Sequence, residues 1–126
     1  MTLTLAVLLV LALYVTQLFL QETSRFSFDL NGIVGNRDAL PEPSIAAARL
    51  ERAKDNMREA LPLFLGLTIL AFAAGQDPND AAPGATVFLL ARIAYVPAYF
   101  SGIPWLRSVI WLVGMAGLAM MAAIHF

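Results

Sequence analysis

Cysteine is missing altogether from the 126 residues of this chain, which removes disulfides, thiolate metal sites and a cysteine nucleophile. Histidine occurs once, as His125, too few for a histidine-based metal cluster, so no metal is expected. Charge is scarce as well. Asp, Glu, Lys and Arg make up 13% of the residues, about half the ~25% of an average globular domain. The net charge of −1 gives no basic field that would draw nucleic acid. What remains is apolar: 60% hydrophobic residues, with a mean hydropathy of +0.73. A soluble chain this short cannot bury so much apolar surface. Its solvent is therefore mostly lipid.

Four apolar runs follow from that. The first, Leu3 to Leu20, is long enough to cross a hydrocarbon core of roughly 30 Å. It has neither a basic leader nor an A-x-A-like cleavage site, so it reads as a retained helix rather than a signal peptide. The second, Ala60 to Ala74, is short alone but continuous with a charged stretch before it. The third, Ala85 to Phe100, contains Arg92, and the fourth, Val109 to Ile124, follows Trp105 and Arg107. Turn formers separate them. Asn31-Gly32, Gly35-Asn36, Pro41 and Pro43 make the first connection a loop, and GQDPNDAAPG and SGIP make the second and third. Ser44 is placed to cap the second helix. With no internal repeat, the expectation is one domain over residues 1–126, an all-α bundle of four antiparallel membrane helices near 3–21, 44–74, 84–100 and 105–125.

The charges are strongly polarised. Arg25, Arg37, Arg49, Arg52, Lys54, Arg58 and Arg107 fall on one side, while the second loop holds Asp77 and Asp80 and no basic residue. By the positive-inside rule the first and third connections face the cytoplasm. The compact length points to a bacterial inner membrane.

The segment ARLERAKDNMREALPLFL, residues 48 to 65, raises the functional question. A second helix from Ser44 to Gly75 has about 30 residues and measures roughly 45 Å, so it protrudes by more than two turns. On it Arg49, Arg52, Asn56 and Glu59 are spaced three, four and three residues apart and share a face. Glu51, Asp55 and Arg58 form an adjacent stripe that reads as solvated surface. Asn56 is a poor helix former, and Glu59 abuts the apolar run, where an unpartnered carboxylate is costly. In the third span Arg92, Tyr95 and Tyr99 also share a face. Arg92 lies near mid-bilayer, where a charge faces the bundle interior and is paired. Glu59 is the expected partner, and the pair fits a structural pin between helices and a ligand contact equally well. Tyr99 fits an interfacial aromatic belt or an inward wall, and Arg107 fits a snorkelling residue or a site residue. Pro62 and Pro97 are expected to kink their helices and free carbonyls at the same level. Together Arg52, Asn56, Glu59, Tyr95, Tyr99 and Arg107 describe a cationic, hydrogen-bonding pocket for a small polyanion with amide groups.

These two segments resemble the diagnostic regions of the MAPEG family, the membrane-associated proteins in eicosanoid and glutathione metabolism. The family pattern R-A-x-x-N-x-x-E-x-x-P is matched by Arg52, Ala53, Asn56, Glu59 and Pro62. The pattern R-x-x-Y-x-x-x-Y is matched by Arg92, Tyr95 and Tyr99, and the arginine after the next turn by Arg107. The resemblance covers the whole chain and implies a trimer with glutathione, the co-substrate, between neighbouring protomers. It implies that Arg52, Asn56, Glu59, Tyr95 and Tyr99 hold the peptide and that the catalytic Arg107 lies by the sulfur. Departures occur at Ala60 and Trp111, where some members carry aromatic residues or a tyrosine, and at Lys54 and Asp55.

Three readings follow: a glutathione-dependent transferase or peroxidase acting on lipophilic electrophiles, a non-catalytic lipid- or glutathione-binding member, and a small four-helix exporter. The exporter class relies on a carboxylate in its first span, and Leu3–Leu20 contains none.

Overall fold

The computed structural model of the protein describes residues 1–25, 29–35 and 44–126. It is all-helical over those residues: α1 Leu3–Arg25, α2 Leu30–Val34, α3 Ile45–Ala73, α4 Ala82–Ser101 and α5 Pro104–Ala123, with a 3₁₀ turn at Pro78–Ala81 before α4. The helices α1, α3, α4 (with its preceding turn) and α5 are each long and apolar enough to cross a membrane. They pack into a four-helix bundle, and the protein is multi-pass in the membrane.

The helix ends show why the chain breaks where it does. Ser44, the residue expected to cap α3, accepts a hydrogen bond from the Ala47 N–H at 3.1 Å. The α3 helix then runs through Pro62 without interruption to Ala73, and α4 likewise runs through Pro97. Gly102 stops α4 in the left-handed conformation, φ +77°, which only glycine adopts without strain. Pro104 opens α5 at a position where its missing N–H costs nothing. At the opposite end, the Leu3 N–H donates to Asn79 Oδ1 at 3.1 Å, fastening the start of α1 to the second connection.

One expectation changes in the first connection. The Asn31-Gly32 pair lies inside the short helix α2, which Asp29 caps by accepting from the Asn31 N–H. A side-chain cap supplies the partner that the Asn-Gly turn signal did not foresee. Asn36, Arg37, Pro41 and Pro43 lie outside the described residues, as does the Arg25 side chain.

The core is a seam of small and aromatic residues. Leu3, Ala6 and Val10 of α1 meet Met57, Ala60 and Phe64 of α3 and Phe88 and Leu89 of α4. The rings of Phe64 and Phe88 stack with centroids 4.9 Å apart. The α1 face continues into Gln17 and Gln21, both buried, a polar extension that the run of leucines around them conceals. Between α4 and α5 the backbones nearly touch. A Cβ on Gly117 would lie 2.7 Å from the Phe88 nitrogen, and one on Gly84 2.6 Å from the Gly117 oxygen. Between lipid-solvated helices such close packing supplies the dispersion contact that a hydrophobic effect cannot.

Candidate functional site

A cavity of about 350 Å³ opens at the end of the bundle where α3 begins and α4 ends. Its walls are Arg52, Asp55, Asn56 and Glu59 from α3, Tyr95 and Tyr99 from α4, and Arg107 from α5. The helical period explains the first wall, since the α3 residues recur at three- and four-residue intervals and lie one above the other. The Gly102 turn explains how Arg107 comes close, because it folds the start of α5 back beside the last turn of α4. Six residues singled out from the sequence, Arg52, Asn56, Glu59, Tyr95, Tyr99 and Arg107, are thus brought to one cavity.

Tyr99 organises the cationic side. Its ring has the Arg107 guanidinium carbon 4.9 Å and the Arg52 carbon 5.7 Å from its centroid. Two guanidinium groups around one ring are held by its π face, leaving their N–H forks available to anions. Tyr95 lies next to it, with ring centroids 5.7 Å apart in a tilted arrangement. Both tyrosines therefore face inward rather than joining an aromatic belt, and Arg107 packs on the site instead of snorkelling away.

Arg92 corrects the sequence reading. The guanidinium is buried, flanked by the rings of Phe88 at 5.1 Å and Tyr95 at 5.3 Å. Its Nη1 donates to the Asn56 side-chain oxygen, and the expected ion pair with Glu59 is not formed. Among the described residues its Nε and Nη2 have no hydrogen-bond partner. A neutral amide satisfies part of the cation without burying a second charge, which an ion pair at this depth would require. Glu59 instead remains exposed and faces the cavity. Arg92 stands behind the wall.

Two further residues change place. Arg49 shares the sequence stripe with Arg52 but does not line the cavity. Its Nη1 donates to the Phe100 carbonyl at 2.8 Å, satisfying an orphan acceptor at the end of α4. A Cβ on Gly102 would lie 2.8 Å from Arg49 Nη2, so the glycine also leaves room for that bond. Asp55, read as solvated surface, lines the cavity and stands 3.7 Å from both Lys54 Nζ and Arg58 Nη2. Its spacing, three residues after Arg52 and four before Glu59, was the signal that could have placed it there.

Chemically the cavity offers two guanidinium groups, two phenol hydroxyls, an amide and two carboxylates. Its volume falls within the roughly 300–1,000 Å³ usual for small-ligand sites. Arginine forks suit carboxylates, while Asp55 and Glu59 suit an ammonium group. This donor set fits a small peptide carrying both signs of charge. Compared with known families, residues 1–126, the whole chain, match the model of the MAPEG family. No curated protein and no solved structure gives a match.

Proposed function

This chain belongs to the MAPEG family, and from that premise we propose that it is a glutathione-dependent transferase acting on lipophilic electrophiles. The observation that carries the reading is the convergence of Arg52, Asn56, Glu59, Tyr95, Tyr99 and Arg107 on one cavity. In the proposed complex Arg52, Asn56 and the two tyrosines hold the peptide carboxylates and amides. Asp55 and Glu59 face its ammonium group. Arg107 lies by the sulfur.

The chemistry follows from charge. A free thiol has a pKa of about 8.5 and is only a few per cent ionised at neutral pH. The Arg107 guanidinium favours the anion and so lowers that value. The sulfur lone pair then forms a bond to the electrophilic carbon. With an aryl halide the carbon–halogen pair leaves as halide, and the thiol proton goes to water at the membrane border. With a hydroperoxide the thiolate would instead take the terminal oxygen, breaking the O–O bond and releasing the alcohol, and a second glutathione would displace water from the resulting sulfenic acid to leave the disulfide. The site belongs, in this reading, to a homotrimer in a bacterial inner membrane with its first and third connections cytoplasmic.

The test is turnover of glutathione with chlorodinitrobenzene by the purified protein. Arg107→Ala is expected to lower kcat/KM by about 10²-fold, the loss typical of removing one group that stabilises a developing or resident anion. Its pH–rate profile should also shift upward toward the free thiol value of about 8.5. A variant as active as the parent with an unmoved profile would exclude Arg107 as the thiolate partner. Tight glutathione binding with no turnover above background would instead favour the non-catalytic member of the family.

A further inference from the structure

The connection between α4 and α5 is held from the side by α3. Arg49 Nη1 donates to the Phe100 carbonyl at 2.8 Å, and Arg49 Nη2 lies where a Cβ on Gly102 would be only 2.8 Å away. The turn needs that grip. Pro97 has no N–H to return to the carbonyl four residues earlier, so the last turn of α4 lacks one rung. The other hydrogen bonds among the described residues here are local. The Gly102 N–H donates to the Tyr99 carbonyl at 3.2 Å, the Ser101 hydroxyl to the Ala98 carbonyl at 2.7 Å, and the Ile103 N–H to the Ser101 hydroxyl at 3.4 Å. None of these three ties the turn to another helix.

The point gripped lies between two residues of the cavity. Phe100 directly follows Tyr99, and Arg107 packs on the Tyr99 ring from the start of α5, 4.9 Å from its centroid. Fixing the Phe100 carbonyl therefore fixes both the ring and the helix start that carries the guanidinium. We propose that Arg49 is a positioning residue for the thiolate: its grip on the α4–α5 turn holds Arg107 on Tyr99, and so sets how strongly the site favours the sulfur anion. A guanidinium stabilises an anion according to how closely it is held, since Coulomb energy falls as the inverse of distance. An untethered turn lets Arg107 move toward water, where its charge is screened and the thiol returns toward its free pKa of about 8.5. The proposal rests on the glutathione reading for the thiolate, but the grip itself is testable without it.

Arg49→Met keeps an apolar stem and removes the fork. In this variant the thiolate pKa of bound glutathione, followed by the ultraviolet absorbance of the thiolate, should rise by about one unit, the lower end of what a neighbouring cation supplies. Arg49→Lys, which keeps the charge and an N–H donor but not the fork, should lie between variant and parent. Affinity for S-methylglutathione, which has the peptide but no thiolate, should stay within about twofold. In an Arg107→Ala background Arg49→Met should add no further shift, because it acts through Arg107. An unmoved pKa would overturn the assignment. So would a shift that persists undiminished without Arg107, which would make Arg49 a direct electrostatic partner, or an equal weakening of S-methylglutathione, which would make it part of the peptide site. Hydrogen exchange reads the grip with no ligand present. Amides between 98 and 107 should exchange about tenfold faster in Arg49→Met, the effect of losing one hydrogen bond to a charged group, with the rest of the bundle unchanged. Exchange equal to that of the parent would overturn the grip. Local loosening in a protein that binds no glutathione would uphold the grip and remove the glutathione reading alone.

Discussion

Arg92 shows how much one buried side chain decides at this site. Its guanidinium is 2% exposed and bonds to Asn56, an amide that also faces the cavity. With the amide oxygen accepting from Arg92, the amide nitrogen is the group of Asn56 left to donate into the cavity. Asn56→Leu removes the hydrogen bond while leaving the cation buried, and should cost about 1.5–3 kcal/mol of stability, the range for a hydrogen bond to a charged group. Arg92→Met combined with Asn56→Leu should recover part of that loss, because no cation is then left stranded. Thermal unfolding in detergent measures the cycle; strictly additive losses would mean that the two side chains are not coupled. The spacing in the sequence identified Arg92 as buried and partnered. It pointed to Glu59, whereas the structure pairs Arg92 with Asn56 one turn away, because both project toward the same neighbouring helix.

At the scale of elements, the glycines separate into those that permit packing and those that do not. Gly117 and Gly84 sit where α4 and α5 come into backbone contact, whereas Gly66, within α3, has no atom within 4 Å of an added Cβ. Gly66→Ala should therefore raise stability by about 0.5–1 kcal/mol through helix propensity. Gly117→Ala carries the same propensity gain but forces the helices apart, and should lower stability on balance. Comparing the two in a detergent unfolding titration isolates the contact; equal stabilisation of both would show that α4 and α5 do not approach so closely. Small residues in α5 were visible in the sequence at 114, 116 and 117. Which of them face α4 was not, and Ala116 turns out to be exposed. The same limit applied to Arg49, whose place on the pocket stripe was clear from its spacing, while the carbonyl end of α4 that claims it comes from a different part of the chain.

For the whole molecule, the cysteine-free background allows orientation to be read with single-cysteine variants. Asp77→Cys, in the connection before α4, should be labelled in intact cells by a membrane-impermeant maleimide, and Ser108→Cys, near the start of α5, only after lysis. Amine-directed crosslinking of the purified protein in mild detergent, which can use both Lys54 and the N-terminal amine of each protomer, should proceed to a trimer. Labelling in the opposite sense would reverse the orientation, and products that stop at a dimer would contradict the trimer.

Length, the apolar runs and the turn residues by themselves determined a membrane bundle of four helices, because spans of that length and composition have no other stable solvent. Helical periodicity also put Arg52, Asn56 and Glu59 on one face of α3 and Tyr95 and Tyr99 on one face of α4, since residues three and four apart lie together. Tertiary structure alone decided the rest: that Arg92 turns to Asn56, that Arg49 closes the end of α4, and that Asp55 faces inward. Each of these depends on the distance and rotation between two helices, and no periodicity within one helix encodes those.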